Sequence, residues 1–217
     1  MLLGPKYIYQ CPNCDNLLSR NSLMSGNTML SQQYSDGKVI AMMLPEFPSV
    51  TICSKCDNIF WIKKAKEIGS YSLEYPDPKN PVQNEWKNAE EVRFLTIDEY
   101  FSAVDNEIYS TKDEELFLRV RIWWGFNDRV RKGGNLFNTD NEKFLWEKNA
   151  KILLNLLNNE DINENIMIAD LNRNLGNFEE CLKIINNLGT DFDWLKPAFI
   201  NECSKGNDQV FQIIRPQ

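Results

Sequence analysis

Two Cys-x-x-Cys pairs, Cys11-Pro12-Asn13-Cys14 and Cys53-Ser54-Lys55-Cys56, constrain this chain more than any other feature. Two residues between cysteines let a tight turn aim both sulfurs at one point. Two such turns supply the four tetrahedral thiolates that Zn²⁺ favours. The turns are near copies, each followed by Asp-Asn (Asp15-Asn16 and Asp57-Asn58). A left-handed backbone is expected after the second cysteine, and Asp and Asn tolerate it best after Gly. The pattern predicts one structural zinc ion on Cys11, Cys14, Cys53 and Cys56, with iron in the same shell as the alternative metal. Disulfides are disfavoured because residues 1–5 carry no export signal, and a redox dithiol because no βαβ context surrounds either pair. A catalytic zinc keeps an open position and usually takes His or carboxylate ligands. The chain has no histidine, so the expected ion is structural.

The 38 residues between Cys14 and Cys53 leave room for a hairpin. Residues 28–34 and 38–44 flank Ser35-Asp36-Gly37, and Asp-Gly is a strong turn signal. Short strands are expected at 7–9, 50–52 and 59–62, with a Ser-rich loop at 16–26. Pro45 and Pro48 keep residues 44–48 out of a central strand. Three prolines in Tyr75-Pro76-Asp77-Pro78-Lys79-Asn80-Pro81 mark a boundary. The expected division is a ribbon-type zinc domain with an inserted hairpin (1–69), a Pro-rich linker (70–95) and a helical domain (96–217).

Past the linker the apolar period becomes helical. Thr96 with Glu99 forms a capping box ahead of Tyr100, Phe101 and Val104. A second helix opens near Asp113, a third near Asp140, a pair spans 161–175 and 177–188, and a last helix covers 194–203 with Pro197 in its first turn. Gly133-Gly134 closes the segment after the second helix.

Residues 164–188 resemble one tetratricopeptide repeat, a helix pair of about 34 residues. Ala169 falls on the small position of the first helix, Leu175-Gly176-Asn177-Phe178 on the turn, and Cys181 on the small position of the second. The first-helix Trp and Tyr of that pattern are missing. On this resemblance the fold class is α+β: a small β-rich zinc-ribbon domain followed by an all-helical, tetratricopeptide-like domain. The chain as a whole resembles bacterial proteins that join a CPxC…CxxC ribbon to such a helical region. That likeness rests on Ser25-Gly26-Asn27-Thr28, Tyr34-Ser35-Asp36-Gly37-Lys38, Leu44-Pro45-Glu46-Phe47-Pro48, Phe60-Trp61 and residues 121–131. It implies the two-part layout and no activity. Cys181 and Cys203 read as small buried residues of helix seams.

The net charge of −7 is uneven. Residues 1–66 hold 7 Lys+Arg and 4 Asp+Glu. Four zinc-bound thiolates bring that region close to neutral, which is not the clustered basic footprint of a strong nucleic-acid binder. No apolar window reaches the ~18 residues of a membrane span, and a cytoplasmic location without membrane contact is expected. Trp61, Lys63, Trp123, Trp124 and Arg129 form a candidate interaction surface, because Trp and Arg are favoured anchors. The competing reading places them in the core and in ion pairs. No phosphate loop or nucleophile motif is present. The leading functional expectation is a non-enzymatic, zinc-binding adaptor or scaffold with a protein partner. The alternative is a nucleic-acid-associated factor in which aromatics beside Lys63, Lys64 and Lys66 contact a strand.

Overall fold

The computed structural model describes residues 1–72 and 84–214. In chain order its elements are β1 (Leu2–Leu3), β2 (Lys6–Gln10), β3 (Leu17–Arg20), β4 (Leu23–Ser25), β5 (Gln32–Tyr34), β6 (Val39–Ile40), β7 (Val50–Ile52), β8 (Ile59–Trp61), β9 (Lys66–Tyr71), α1 (Asn84–Lys87) and β10 (Glu90–Glu91). The helices α2 (Ile97–Asp105), α3 (Lys112–Arg131), α4 (Asp140–Leu156), α5 (Ile162–Asn174), α6 (Phe178–Asn186) and α7 (Lys196–Ser204) follow, and β11 (Gln212–Ile213) ends the series. The architecture is a β-rich N-terminal region followed by a helical region whose helices pack consecutively. Among the described residues no helix is long and apolar enough to cross a membrane.

Two compact units emerge: Met1–Ser31 with Ala41–Glu99, and Gln32–Ile40 with Tyr100–Gln217. The first is built on a four-stranded sheet of order β10-β3-β2-β9, parallel only between β10 and β3. Strand β2 is central because Ile8 is fully buried while Tyr7 and Tyr9 take the opposite side, as the period of two requires. Gly69 in β9 leaves space that the Trp86 indole of α1 fills; a side chain there would collide with the ring. A separate β7–β8 hairpin leads into and out of the second Cys-x-x-Cys turn. Cys11, Leu18, Cys53, Phe60, Ile62 and Val92 bury together, so the thiols and the small apolar core are continuous.

Residues 16–26, expected as loop, instead contain β3 and β4. The polar composition misleads there because the Ser19 hydroxyl is buried and donates to the Ala89 carbonyl at 3.0 Å. Leu18 meanwhile faces the core. Residues 89–92 follow β3 through β10, with the Val92 amide on the Ser19 carbonyl at 2.8 Å. Arg93 exchanges hydrogen bonds with the Thr51 hydroxyl. Part of the stretch read as linker is thereby structured within the first unit. The proline-rich segment 75–81 lies outside the described residues.

Helix starts in the second unit follow local chemistry. Thr111 and Thr139 accept from the amides of Glu114 and Glu142, and Asp161 accepts from those of Asn163 and Glu164, which supplies orphan donors of the first turns. The caps of α3 and α4 sit slightly before the Asp113 and Asp140 read from sequence. Helix ends are equally local. At Gly176 (φ 81°) the Gly176 amide bonds Arg173 O and the Asn177 amide bonds Asn172 O, the paired bonds of a Schellman stop. Gly133-Gly134 and Gly206-Asn207 repeat the arrangement after α3 and α7.

Ala169 and Cys181 are fully buried in the α5–α6 seam, as the repeat resemblance implies, beside Ile185, Leu195 and Phe199. Toward α3 and α4, Leu118, Ile122, Phe126 and Leu153 are fully buried, each worth about 1.5–3 kcal/mol relative to exposure. Phe101, Phe126, Phe137 and Trp146 form an edge-on chain with centroid separations of 6.4, 5.7 and 5.4 Å.

The Asp-Gly hairpin has shorter strands than expected, and it belongs to the helical unit. β5 lies between β6 and β11. The buried Ser35 amide donates to Phe211 O at 2.9 Å, and its hydroxyl accepts from the Phe211 amide at 3.2 Å. The physical reason for this placement is Asp36. Its buried carboxylate accepts from Asn127 Nδ2 at 2.8 Å and from Arg131 Nη2, while its carbonyl accepts from Trp124 Nε1 at 3.0 Å.

Candidate metal centre

Two backbone turns of the same construction present the four thiols. The Cys11 amide donates to Asn16 O (2.9 Å) and the Asp15 amide to Cys11 O (3.1 Å). In the second turn the Cys53 amide donates to Asn58 O (3.0 Å) and the Asp57 amide to Cys53 O (2.8 Å). Asp15 and Asp57 adopt φ of 59° and 55°, the left-handed conformation expected of them. Each turn thus aims two sulfurs outward from one short segment, and β7–β8 together with β2 and β3 bring the segments face to face.

The Sγ atoms of Cys11, Cys14, Cys53 and Cys56 all lie within 4.8 Å of one another. Cys11 and Cys56 are 3.7 Å apart, as are Cys14 and Cys53. A regular tetrahedron of metal–sulfur bonds of about 2.3 Å has edges of about 3.8 Å. The cluster is therefore geometrically able to hold one metal ion, with each close contact joining opposite turns. Cys11 and Cys53 are buried, whereas Cys14 and Cys56 are half-buried. No other group of three or more Cys, Asp or Glu ligands of this kind occurs among the described residues.

The electrostatics of the four thiols also favour a cation. The Asn13 side chain, then the Asn58 amide, stabilise the Cys56 thiolate and lower its pKa to about 6. At Cys14 the Asn16 amide favours the thiolate, yet desolvation and the neighbouring sulfurs outweigh it and push the group up to about 12. Burial likewise raises Cys11. Four sulfurs this close resist carrying four negative charges, and a divalent ion removes that resistance. Two asparagines assist from across the site: Asn16 Nδ2 reaches Cys53 Sγ at 3.8 Å, and Asn13 addresses Cys56. Sequence reading assigned Asn16 only a backbone role; its position beside a knuckle was the available signal.

The residues read as a candidate interaction surface fall in both units, Trp61 and Lys63 in the first and Trp123, Trp124 and Arg129 in the second. Trp61 is only 5% exposed, with Lys63 and Lys64 ammonium groups 5.0 and 5.8 Å from its ring centre. Trp123 is fully buried and donates to Asn174 Oδ1 at 2.9 Å. Trp124, one step round the helix, is half-buried against the hairpin. Arg129 pairs both guanidinium nitrogens with Glu142 at 2.8 and 2.9 Å. Trp61 and Trp123 are both buried.

Sequence reasoning missed a different constellation in the second unit: Asp36, Asp128, Asp170, Lys38, Arg131 and Arg173. Lys38 pairs with Asp128 at 2.6 Å, Arg131 bridges Asp128 and Asp36, and Arg173 pairs with Asp170 at 2.7 Å. Arg173 also donates to Asn207 O (2.5 Å) and Gln209 O (2.8 Å). Burial, offset in part by Arg173, pushes the Asp170 carboxyl upward. Three cations face three anions, an arrangement that fixes the hairpin and the C-terminal strand rather than presenting a reactive pair to solvent. Comparison with protein-family models, curated proteins and solved structures gives no match to this chain.

Proposed function

We propose that this chain is a zinc-binding protein-interaction module in which Cys11, Cys14, Cys53 and Cys56 hold one structural zinc ion. Thiolates suit zinc, the sulfur separations fit its tetrahedron, and four protein ligands leave no open position for substrate or water. When bound, the ion would staple two turns whose shared core is small. The consecutive packing of α3 to α7 supports an adaptor or scaffold role.

One observation carries the interaction reading furthest. Met24, Met29, Leu30, Met42 and Leu44 are 64, 72, 86, 79 and 45% exposed. Their two segments lie against each other, the Asn27 amide donating to Met43 O at 3.2 Å and Leu44 packing beside Gly26. Flexible, polarizable methionines adapt to apolar partner surfaces. The proposed occupant is the apolar face of another protein.

Affinity capture of the tagged chain from its native lysate, with and without nuclease, tests this. A defined protein retained after nuclease, and lost from a Met29→Asp/Met42→Asp variant that keeps its zinc and helical signal, is the expected result. Capture that collapses on nuclease treatment overturns it in favour of a nucleic-acid role. Failure to find stoichiometric zinc overturns the metal reading separately.

A further inference from the structure

Cys181 and Cys203 are the two cysteines the metal centre does not use. They occupy different helices, α6 and α7, and their sulfurs meet at 3.8 Å with the Cys203 thiol donating. Both belong to one apolar cluster, where Cys181 is fully buried and Cys203 is 7% exposed. The separation falls within the range found in the metal cluster, yet no third ligand joins them among the described residues. A tetrahedral metal site is therefore not available to this pair. The chemistry left to two thiols in contact is coupling to each other, the sulfurs closing from 3.8 Å to a bond of about 2.05 Å.

We infer that Cys181 and Cys203 are a redox-modification site, a dithiol that peroxide converts into a disulfide joining α6 to α7. Cys203 is the entry point: it keeps 7% of its surface exposed, whereas Cys181 keeps none. Its sulfur, deprotonated, attacks one peroxide oxygen; the O–O bond breaks and the departing hydroxide takes a proton to become water. The sulfenic acid left on Cys203 is then attacked by the Cys181 sulfur. The S–O bond breaks, the S–S bond forms, and the oxygen leaves as a second water with the Cys181 proton. Two thiols and one peroxide give one disulfide and two waters. Burial raises both thiols above their ordinary range, so the first step is slow near neutrality and accelerates as pH rises.

The zinc-loaded full chain is treated with hydrogen peroxide, the remaining thiols are alkylated after denaturation, and a non-reducing digest is read by mass spectrometry. The expected product is a single peptide pair joined through residues 181 and 203. It is accompanied by a rise in Tm of roughly 5–10 °C, because the bond closes a loop of about 22 residues in the unfolded chain, and a phosphine reductant reverses both. Cys203→Ala removes the linked peptide, and Cys203→Val serves the same purpose where the smaller residue destabilises the core. The inference is overturned if both residues stay alkylatable, if Cys203 proceeds to sulfinic acid without linking, or if the link joins one of them to a metal-cluster cysteine. Zinc measured in parallel separates loss of the metal centre from chemistry at this pair.

Discussion

Asp36 at the hairpin tip and Arg131 in the last turn of α3 form a buried ion pair across 95 residues of sequence, with side-chain exposures of 0% and 5%. Such a pair is a weak source of net stability, but removing one partner strands the other in a poorly solvated place. Asn127 and the Trp124 indole complete the cradle from the same helix. The hairpin is therefore addressed to α3 by chemistry.

Replacing Asp36 with Ala should destabilise the helical unit by about 2–4 kcal/mol. The value lies below or within the usual range for breaking a buried pair because Asp128 still neutralises Arg131. Urea melts followed at the helical circular-dichroism band give the number. A loss under about 0.5 kcal/mol would show that the pair does not pin the hairpin.

Metal removal should act on the other unit. Cys53→Ser, or treatment with a strong chelator, is expected to reduce bound zinc from one ion per chain to none and to unfold the Cys-cluster region while the helical signal persists. Structural zinc sites contribute their binding energy directly to folding. Metal analysis with near-ultraviolet circular dichroism checks it; a Cys53→Ser protein that keeps its ion and its aromatic signal would refute the four-thiolate assignment.

Two glycines give opposite expectations. Gly176 sits at φ 81° with open space around it, so Gly176→Ala meets no clash and its cost is purely conformational, about 1–2 kcal/mol. Gly189 has φ −59° and is equally open, so Gly189→Ala should be neutral or stabilising by about 0.4–1 kcal/mol through the unfolded chain. Thermal melts of the two variants side by side decide this, and equal effects would contradict the Schellman stop at Gly176.

The Arg93–Glu99 pair predicts a pH dependence. Hydrogen bonds from Arg93, then from the Thr96 amide, hold the Glu99 carboxyl at about 2 against an ordinary 4.5. A depressed carboxyl pKa contributes stability that is present above 4.5 and disappears as pH falls toward 2. Carboxyl-detected NMR should place the Glu99 midpoint well below those of exposed glutamates. Glu99→Gln should remove this part of the acid-induced fall in Tm, and a Glu99 midpoint near 4.5 would show that the pair does not persist in solution.

What the sequence determined by itself is whatever closes within a few residues. The two knuckles follow from Cys-x-x-Cys with Asp next, the starts of α3 and α4 were legible to within two positions of their Thr caps, and the stops after α3 and α5 follow from glycine where the chain turns left-handed. Each depends on backbone groups no more than six positions apart, so composition and spacing suffice to read them. Tertiary structure alone decided the rest. Asp36 finding Arg131, residues 89–92 following β3, β11 joining β5, and Cys181 meeting Cys203 all join segments tens to more than a hundred residues apart. Their partners are chosen by shared burial and by the need to satisfy desolvated charges and amides. That choice is made only when the whole chain has packed, which is why Asp-Gly announced a hairpin and gave no sign of where it would dock.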